Sequence, residues 1–199
     1  MSESVQPRPA ASLLLIRDPF SAPSVLMGQR GAFHKFMPGR LVFPGGGVDP
    51  VDATAPISHS PSPNALRNLQ RIAGLELAKG LLSATARELE EETGLSLGSP
   101  PNLSGLDFLC RAITPPTNPI RFDAYFFIAD ASAATGMLGG SGELEELRWY
   151  SLTEALVLDL AFATRQVLLQ AQNWLSLSAE MRDSRSAIPV MRERNWTAE

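Results

Sequence analysis

The chain is poor in several things that would settle its class at once. It has one cysteine, Cys110, which excludes an internal disulfide and fits a reducing compartment. Phe108 and Leu109 beside it mark a buried strand position, and no neighbouring base would make the thiol a nucleophile. No apolar run is long enough to cross a bilayer. Ala10 to Ile16 has only strand length, and Arg8 is the one basic residue ahead of it, so neither a span nor a leader is expected. Thr197-Ala198-Glu199 matches no targeting tail. A cytoplasmic protein is the expectation. Positive charge is not in excess either. The formal net charge is −4, so no global basic field recruits nucleic acid or a membrane surface, and neither is expected as a partner. A protein of this charge that acts on a polyanion needs local cations and a metal. Histidine is scarce as well: His34 and His59 have no ligand-like company and receive no role.

The material that is present suffices for a core. With 199 residues, 44% of them hydrophobic, one domain is expected over residues 10–199, behind a loose polar arm at 1–9. Strands are expected at Ala10 to Arg17, Ser24 to Gln29, Leu41 to Phe43, Leu106 to Ile113, Arg121 to Ala129 and Leu147 to Tyr150. Val51 to Pro63 is rich in Pro and Ser and reads as a mobile loop. Leu66, Leu69, Ala73 and Leu77 recur at helical spacing, which predicts one helix from Asn64 to about Gly80. A second helix is predicted over Ser83 to Thr93, with Ser83 as N-cap. Ser151 and Glu154 stand in capping-box spacing ahead of a final helical region that continues over Ala161 to Leu175. Short strands alternating with a few helices predict an α/β fold, a mixed sheet flanked by helices.

The chemistry is concentrated in Arg87-Glu88-Leu89-Glu90-Glu91-Glu92-Thr93-Gly94-Leu95 and in Phe43-Pro44-Gly45-Gly46-Gly47 upstream. Glu88, Glu91 and Glu92 stand at i, i+3 and i+4, so a helix puts all three on one side. Like charges stacked this way repel unless a cation sits among them. Hard divalent ions such as Mg²⁺ take carboxylate oxygens, waters and substrate phosphates. Arg87 can pair with Glu91 one turn on, and Gly94 is a natural helix end. A glycine-rich turn lets backbone groups approach a metal and phosphates closely.

These residues resemble the Nudix hydrolase family. Arg87 to Leu95 matches the second half of its motif, G-x5-E-x7-R-E-U-x-E-E-x-G-U with U aliphatic, at every specified position. The first half is displaced: Gly46 and five residues lead to Asp52, where the family has Glu, and Asp52 stands 35 positions before Arg87 instead of eight. The motif is thus split by 27 residues, an insertion at about 53–79 that reads as a surface decoration, with a lid or dimer contact as the functional alternative. The resemblance implies an α/β/α sandwich and a Mg²⁺- or Mn²⁺-dependent hydrolase of nucleoside diphosphate compounds. Carried over by position, Glu91 and Glu92 are metal ligands, Glu88 a ligand or the base, and a carbonyl of the Gly45-Gly46 turn completes the coordination. Arg87 orients the carboxylates. Glu143, in the loop after Gly139-Gly140-Ser141-Gly142, is a candidate base, because in this family the base sometimes comes from a later loop. Asp52 departs from the family's Glu, which puts its role in doubt.

The approach to the motif narrows the substrate. Leu26-Met27-Gly28-Gln29-Arg30-Gly31, Lys35, Gly39 and Phe43-Pro44-Gly45-Gly46 are similar to the coenzyme A diphosphatase pattern L-L-T-x-R-[S/A]-x3-R-x3-G-x3-F-P-G-G. The spacing is the same without gaps, and Arg30, Gly39 and the FPGG match. Lys35 replaces Arg, and Gly28 and Gly31 replace Thr and a small residue, so the match is partial. Coenzyme A carries a 3′-phosphate besides its diphosphate, so added cations would select it; Arg30, Lys35, Arg40 and Arg121 are the candidates. The resemblance implies cleavage of coenzyme A or acyl-CoA to 3′,5′-ADP and (acyl-)4′-phosphopantetheine. ADP-ribose, NADH, a dinucleoside polyphosphate or capped RNA as substrate, or a catalytically inactive binding module, are the alternatives. A homodimer is left open.

Overall fold

The computed structural model describes residues 5–31, 38–140 and 142–199. The strands are β1 (Arg8–Arg17), β2 (Ser24–Arg30), β3 (Leu41–Val42), β4 (Gly45–Gly47), β5 (Leu95–Ser96), β6 (Asp107–Ile113), β7 (Phe122–Asp130), β8 (Thr135–Gly136), β9 (Leu144–Ser151), β10 (Pro189–Arg192) and β11 (Asn195–Ala198). Nine of them form one sheet in the order β11-β10-β6-β7-β1-β2-β3, with β4 also on β1 and β9 also on β2. The sheet is mixed: β1 runs parallel to β7 and β10 parallel to β6, and the remaining pairs are antiparallel. β5 and β8 form a separate two-stranded ribbon.

The helices are α1 (Pro63–Ala73), α2 (Leu75–Thr93), α3 (Leu152–Val157), α4 (Phe162–Ser176) and α5 (Ala179–Asp183). Strand period decides which helix packs where. In β1, Ala11, Leu13 and Leu15 belong to one core with Leu81, Ala84 and Leu89 of α2, and Leu14 and Ile16 belong to the other with Val167 and Leu168 of α4. A strand covered on both faces is a continuous apolar run, which is what residues 13–16 show. The expected α/β/α sandwich is therefore present.

Four expectations change. β1 begins at Arg8, paired with Phe122, so the arm ends sooner than residue 9; residues 5–7 are irregular, and the rest of the arm lies outside the described residues. The helix expected over 64–80 is broken at Gly74 (φ 82°), and the helix that carries Glu88, Glu91 and Glu92 begins at Leu75. Ser83 is thus buried in mid-helix, its hydroxyl without a hydrogen-bond partner, because the packing of Ala78, Leu81 and Leu82 overrides its capping preference. Ser62 is the residue that caps, accepting from Ala65 N at 3.2 Å at the start of α1. Finally, β10 and β11 arise in a tail where no strand was expected; each has only four residues, β10 being held by its pairing with β6 and β11 by its pairing with β10.

The segment read as decoration is built into the core. Ala65 and Leu69 are buried, and Asn64 and Asn68 donate to Arg185 O at 2.9 and 2.8 Å. Arg71 donates to Ser186 O at 3.0 Å and Glu199 O at 2.9 Å, tying α1 to the C-terminal hairpin.

Candidate active site

The last two turns of α2 carry the carboxylates, and β4 supplies the surface they meet. Glu92 is 2% exposed, and its Oε2 accepts from Gly45 N at 2.7 Å. Gly45 has φ 153°, and a Cβ there would lie 2.3 Å from Ala11 O. At Gly46 a Cβ would lie 2.4 Å from Glu88 Oε1, so the glycines are what let two buried carboxylates seat against the backbone turn. Burial pushes Glu92 up to about 8, Glu88 and Glu143 push in the same direction, and Gly45 N–H and Arg30 oppose them. Burial also raises Glu88, against the pull of Arg87.

Arg87 pairs with Glu91 and also bonds several groups beyond it. It donates to Glu91 at 3.1 Å and to Glu88 at 2.8 Å. Its Nε and Nη2 make a fork on Asp52 at 3.0 and 2.9 Å, and Nη2 reaches Gly47 O at 3.0 Å. Asp52 is 2% exposed and also accepts from Asp49 N at 2.8 Å, in a 3₁₀ turn at Pro50–Ala53. The two halves of the split motif are therefore joined in space, and the aspartate whose role the sequence left in doubt is the principal partner of Arg87. The excursion between them closes tightly at its base: a Cβ on Gly80 would come within 3.0 Å of Val48.

Glu143 is exposed and lies within the electrostatic reach of both Glu88 and Glu92. Its main-chain oxygen accepts from Gly31 N at 3.3 Å, just before Leu144 pairs with Arg30. Arg30 itself ends β2 beside these groups. It acts on the charge of Glu92, and its buried Nε has no hydrogen-bond partner.

The other candidate cations are placed differently. Arg40 is turned onto Asp159, bonding both its carboxylate and its carbonyl, the latter at 3.1 Å. Arg121 gives its donors to Thr114 O at 3.0 Å and Val5 O at 2.6 Å, in a separate depression with Pro115 and Arg192. Lys35 and His34 lie outside the described residues. Cys110 is fully buried and its thiol is pushed up by desolvation, which agrees with a purely structural role.

Beside Gly45 and Gly46 a pocket of about 140 Å³ opens on the other side of β1 and β4. Phe43, Phe126 and Phe122 form its walls with Ala124 and Ala163, and Arg30 stands among them. Sequence reasoning did not find this pocket, since its walls come from β3, β7 and α4. The set of oxygen donors at Glu88, Glu91, Glu92 and Glu143 suits a hard divalent cation and no soft one. Among the described residues no group of three or more His, Cys, Asp and Glu side chains already encloses a point for an ion. Glu88 and Glu91 both rest on Arg87 instead.

A family model described as NUDIX domain matches residues 6–171. The chain belongs to this family. It is a hydrolase acting on pyrophosphate bonds, and Nudix hydrolases generally use divalent metals. A Nudix hydrolase from Alicyclobacillus acidocaldarius has a similar fold, with TM-score 0.68, 24% identity, and coverage of 91% of this chain and 97% of that one. A MutT Nudix hydrolase from Burkholderia pseudomallei gives TM-score 0.56 at 24% identity, over 83% of this chain and 98% of that one. The Nudix domain of Shewanella oneidensis NrtR, solved with ADP ribose, gives 0.57 at 20%, over 86% and 90%. No curated protein matches the chain. No helix among the described residues is long and apolar enough to cross a membrane.

Proposed function

We propose that this Nudix protein hydrolyses the diphosphate of coenzyme A or acyl-CoA, giving 3′,5′-ADP and (acyl-)4′-phosphopantetheine, with Mg²⁺ or Mn²⁺. The observation that carries the reading is the contiguity of three features: the buried carboxylates of α2, the Arg30 guanidinium with its buried, unpartnered Nε, and an apolar pocket beside the glycine turn. A diphosphate joined to an organic group needs all three. The register of Arg30, Gly39 and Phe43-Pro44-Gly45-Gly46, which resembles the coenzyme A diphosphatase pattern, supports coenzyme A among such compounds.

Glu88, Glu91, Glu92 and the Gly46 carbonyl would hold the cation. When bound, it neutralises phosphate oxygens and lowers the pKa of a coordinated water. Glu143 takes the proton from the attacking water. Arg87, held by Asp52, orients Glu88 and Glu91 and touches no substrate. Arg30 neutralises a phosphate oxygen, and Phe43 and Phe126 seat the attached group while excluding water.

A second reading, with a substrate lacking the 3′-phosphate such as ADP-ribose, is favoured by one observation: Arg40 and Arg121 give their donors to other partners. Mass spectrometry of products from coenzyme A and from 3′-dephospho-coenzyme A separates the readings. Metal-dependent release of 3′,5′-ADP and 4′-phosphopantetheine from coenzyme A is expected, with slower release of 5′-AMP and 4′-phosphopantetheine from the dephospho compound. Indifference to the 3′-phosphate would remove the first reading. Arg30→Gln should lower kcat/KM by about 10- to 100-fold, since one charge-assisted hydrogen bond contributes about 1.5–3 kcal/mol. Unchanged steady-state kinetics would take Arg30 out of the site.

A further inference from the structure

The loop between β8 and β9 touches the metal helix through its glycines. Gly139 N donates to Thr93 O at 2.8 Å, so the loop caps one of the carbonyls that the end of α2 leaves without a helical partner. At Gly140 a Cβ would stand 2.2 Å from Glu92 O and 3.0 Å from Glu92 C, both backbone atoms that cannot rotate away. A Cβ at Gly94 would lie 2.6 Å from Gly139 O, so the approach is close from both sides. Gly139, in contrast, would bring a Cβ into open space. Beyond the glycines the chain is held again, by Gly31 N on Glu143 O at 3.3 Å and by Leu144 opposite Arg30. Gly28 lets that second hold form, since a Cβ there would press on Leu144 and Leu147 at 2.9 Å. Glu143 is thus fixed between two backbone anchors, one on the carboxylate helix and one on the strand that carries Arg30.

We propose that Gly140 is a positioning residue for the hydrolysis: its lack of a side chain lets the loop close on the C-terminal turn of α2, and this sets Glu143 against Glu88 and Glu92. The proposal rests on the reading of Glu143 as the group that accepts the water proton. A methyl group at 140 forces the loop off the helix and withdraws Glu143, while the ligands on α2 stay where α2 puts them.

The test uses the whole chain and a diphosphate substrate that the unmodified protein cleaves. Gly140→Ala should lower kcat about 100-fold, the scale of a misplacement near 1 Å, with KM and Mn²⁺ affinity within about twofold. Gly139→Ala should behave like the unmodified protein. Gly140→Ala/Glu143→Gln should be no slower than Glu143→Gln alone, because the glycine acts through that carboxylate. Gly139→Pro, which removes the N–H bonded to Thr93 O without adding an atom against Glu92, should also lower kcat, and it stands in should Gly140→Ala melt below the assay temperature. Equal activity of Gly140→Ala and Gly139→Ala overturns the proposal. So do additive losses in the double variant, or a fall in Mn²⁺ affinity, which would place the effect at Glu92. Absence of metal-dependent cleavage by the unmodified protein is a different failure: it removes the hydrolytic reading itself, and the proposal with it.

Discussion

Glu92→Gln should lose about three orders of magnitude in kcat and gain thermal stability when divalent ions are chelated. The two effects have one cause. Glu92 is buried against Gly45 N–H with Glu88 and Glu143 nearby, and its carboxyl is pushed up to about 8 from an ordinary 4.5. In the unfolded chain the same group ionises near 4.5, so between the two values the native state binds the extra proton. Stability from this group is complete below about 4.5 and is lost as pH rises towards 8. Glutamine has the same size, accepts the same bond from Gly45 N, and does not titrate. The melting temperatures of variant and parent should therefore agree near pH 4 and diverge by several degrees near pH 8, the variant being higher. Mn²⁺ should reverse the order at pH 8 by stabilising only the parent, since binding to the native state adds stability by mass action. Parallel melting curves across pH would show that Glu92 is ionised in the folded protein. Full turnover in the variant would sever it from catalysis. Removing a hard-ion ligand or a phosphate-neutralising group acts on the transition state, which is why the activity loss is large.

The carboxylate half of the site was open to sequence reading because it is local. Spacing along one helix decides which face Glu88, Glu91 and Glu92 share, and Gly94 ends that helix wherever it packs, here at φ 72°. β7 was legible for the same reason: its Tyr125 to Ala129 stretch is a continuous apolar run, and a buried central strand needs just that. What escaped depends on parts of the chain distant in sequence. Asp52 looked estranged from Arg87 because 35 positions separate them, yet a 3₁₀ turn and the close packing of Gly80 on Val48 return the chain to its start. Arg40 and Arg121 looked like free cations. Their partners, Asp159 and the carbonyls of Val5 and Thr114, are set by tertiary packing, which leaves no trace in spacing. The beginning of α2 was misplaced for a related reason. Ser83 has the right chemistry for a cap, but the buried positions of α2 run back past it to Ala78, and Gly74 marks the break before Leu75.

Asp52→Asn should be the most damaging single change away from the carboxylate cluster itself. The side chain stays nearly isosteric, so no cavity forms, but an amide offers one acceptor oxygen and an NH₂ where the fork of Arg87 requires two acceptors. One guanidinium N–H then faces another donor in a site that water barely reaches. Losing a charge-assisted bond in such a place costs about 1.5–3 kcal/mol, and for a chain of this length about 2–4 °C of melting temperature per kcal/mol, so a fall of roughly 3–12 °C is expected. Activity should fall further than stability predicts, by about 100-fold. Arg87, freed from Asp52, can move with Glu88 and Glu91, and a misplacement near 1 Å is enough for such a loss. Asp52→Glu, which restores the residue type of the family pattern, separates charge from reach. Recovery of both properties would mean that the buried turn at Pro50–Ala53 adjusts to the longer side chain. Recovery of stability without activity would mean that the fork reforms but holds Arg87 displaced. An Asp52→Asn variant with parental melting temperature and kcat would show that Arg87 is oriented by Glu88 and Glu91 alone, and that the two halves of the motif need not meet.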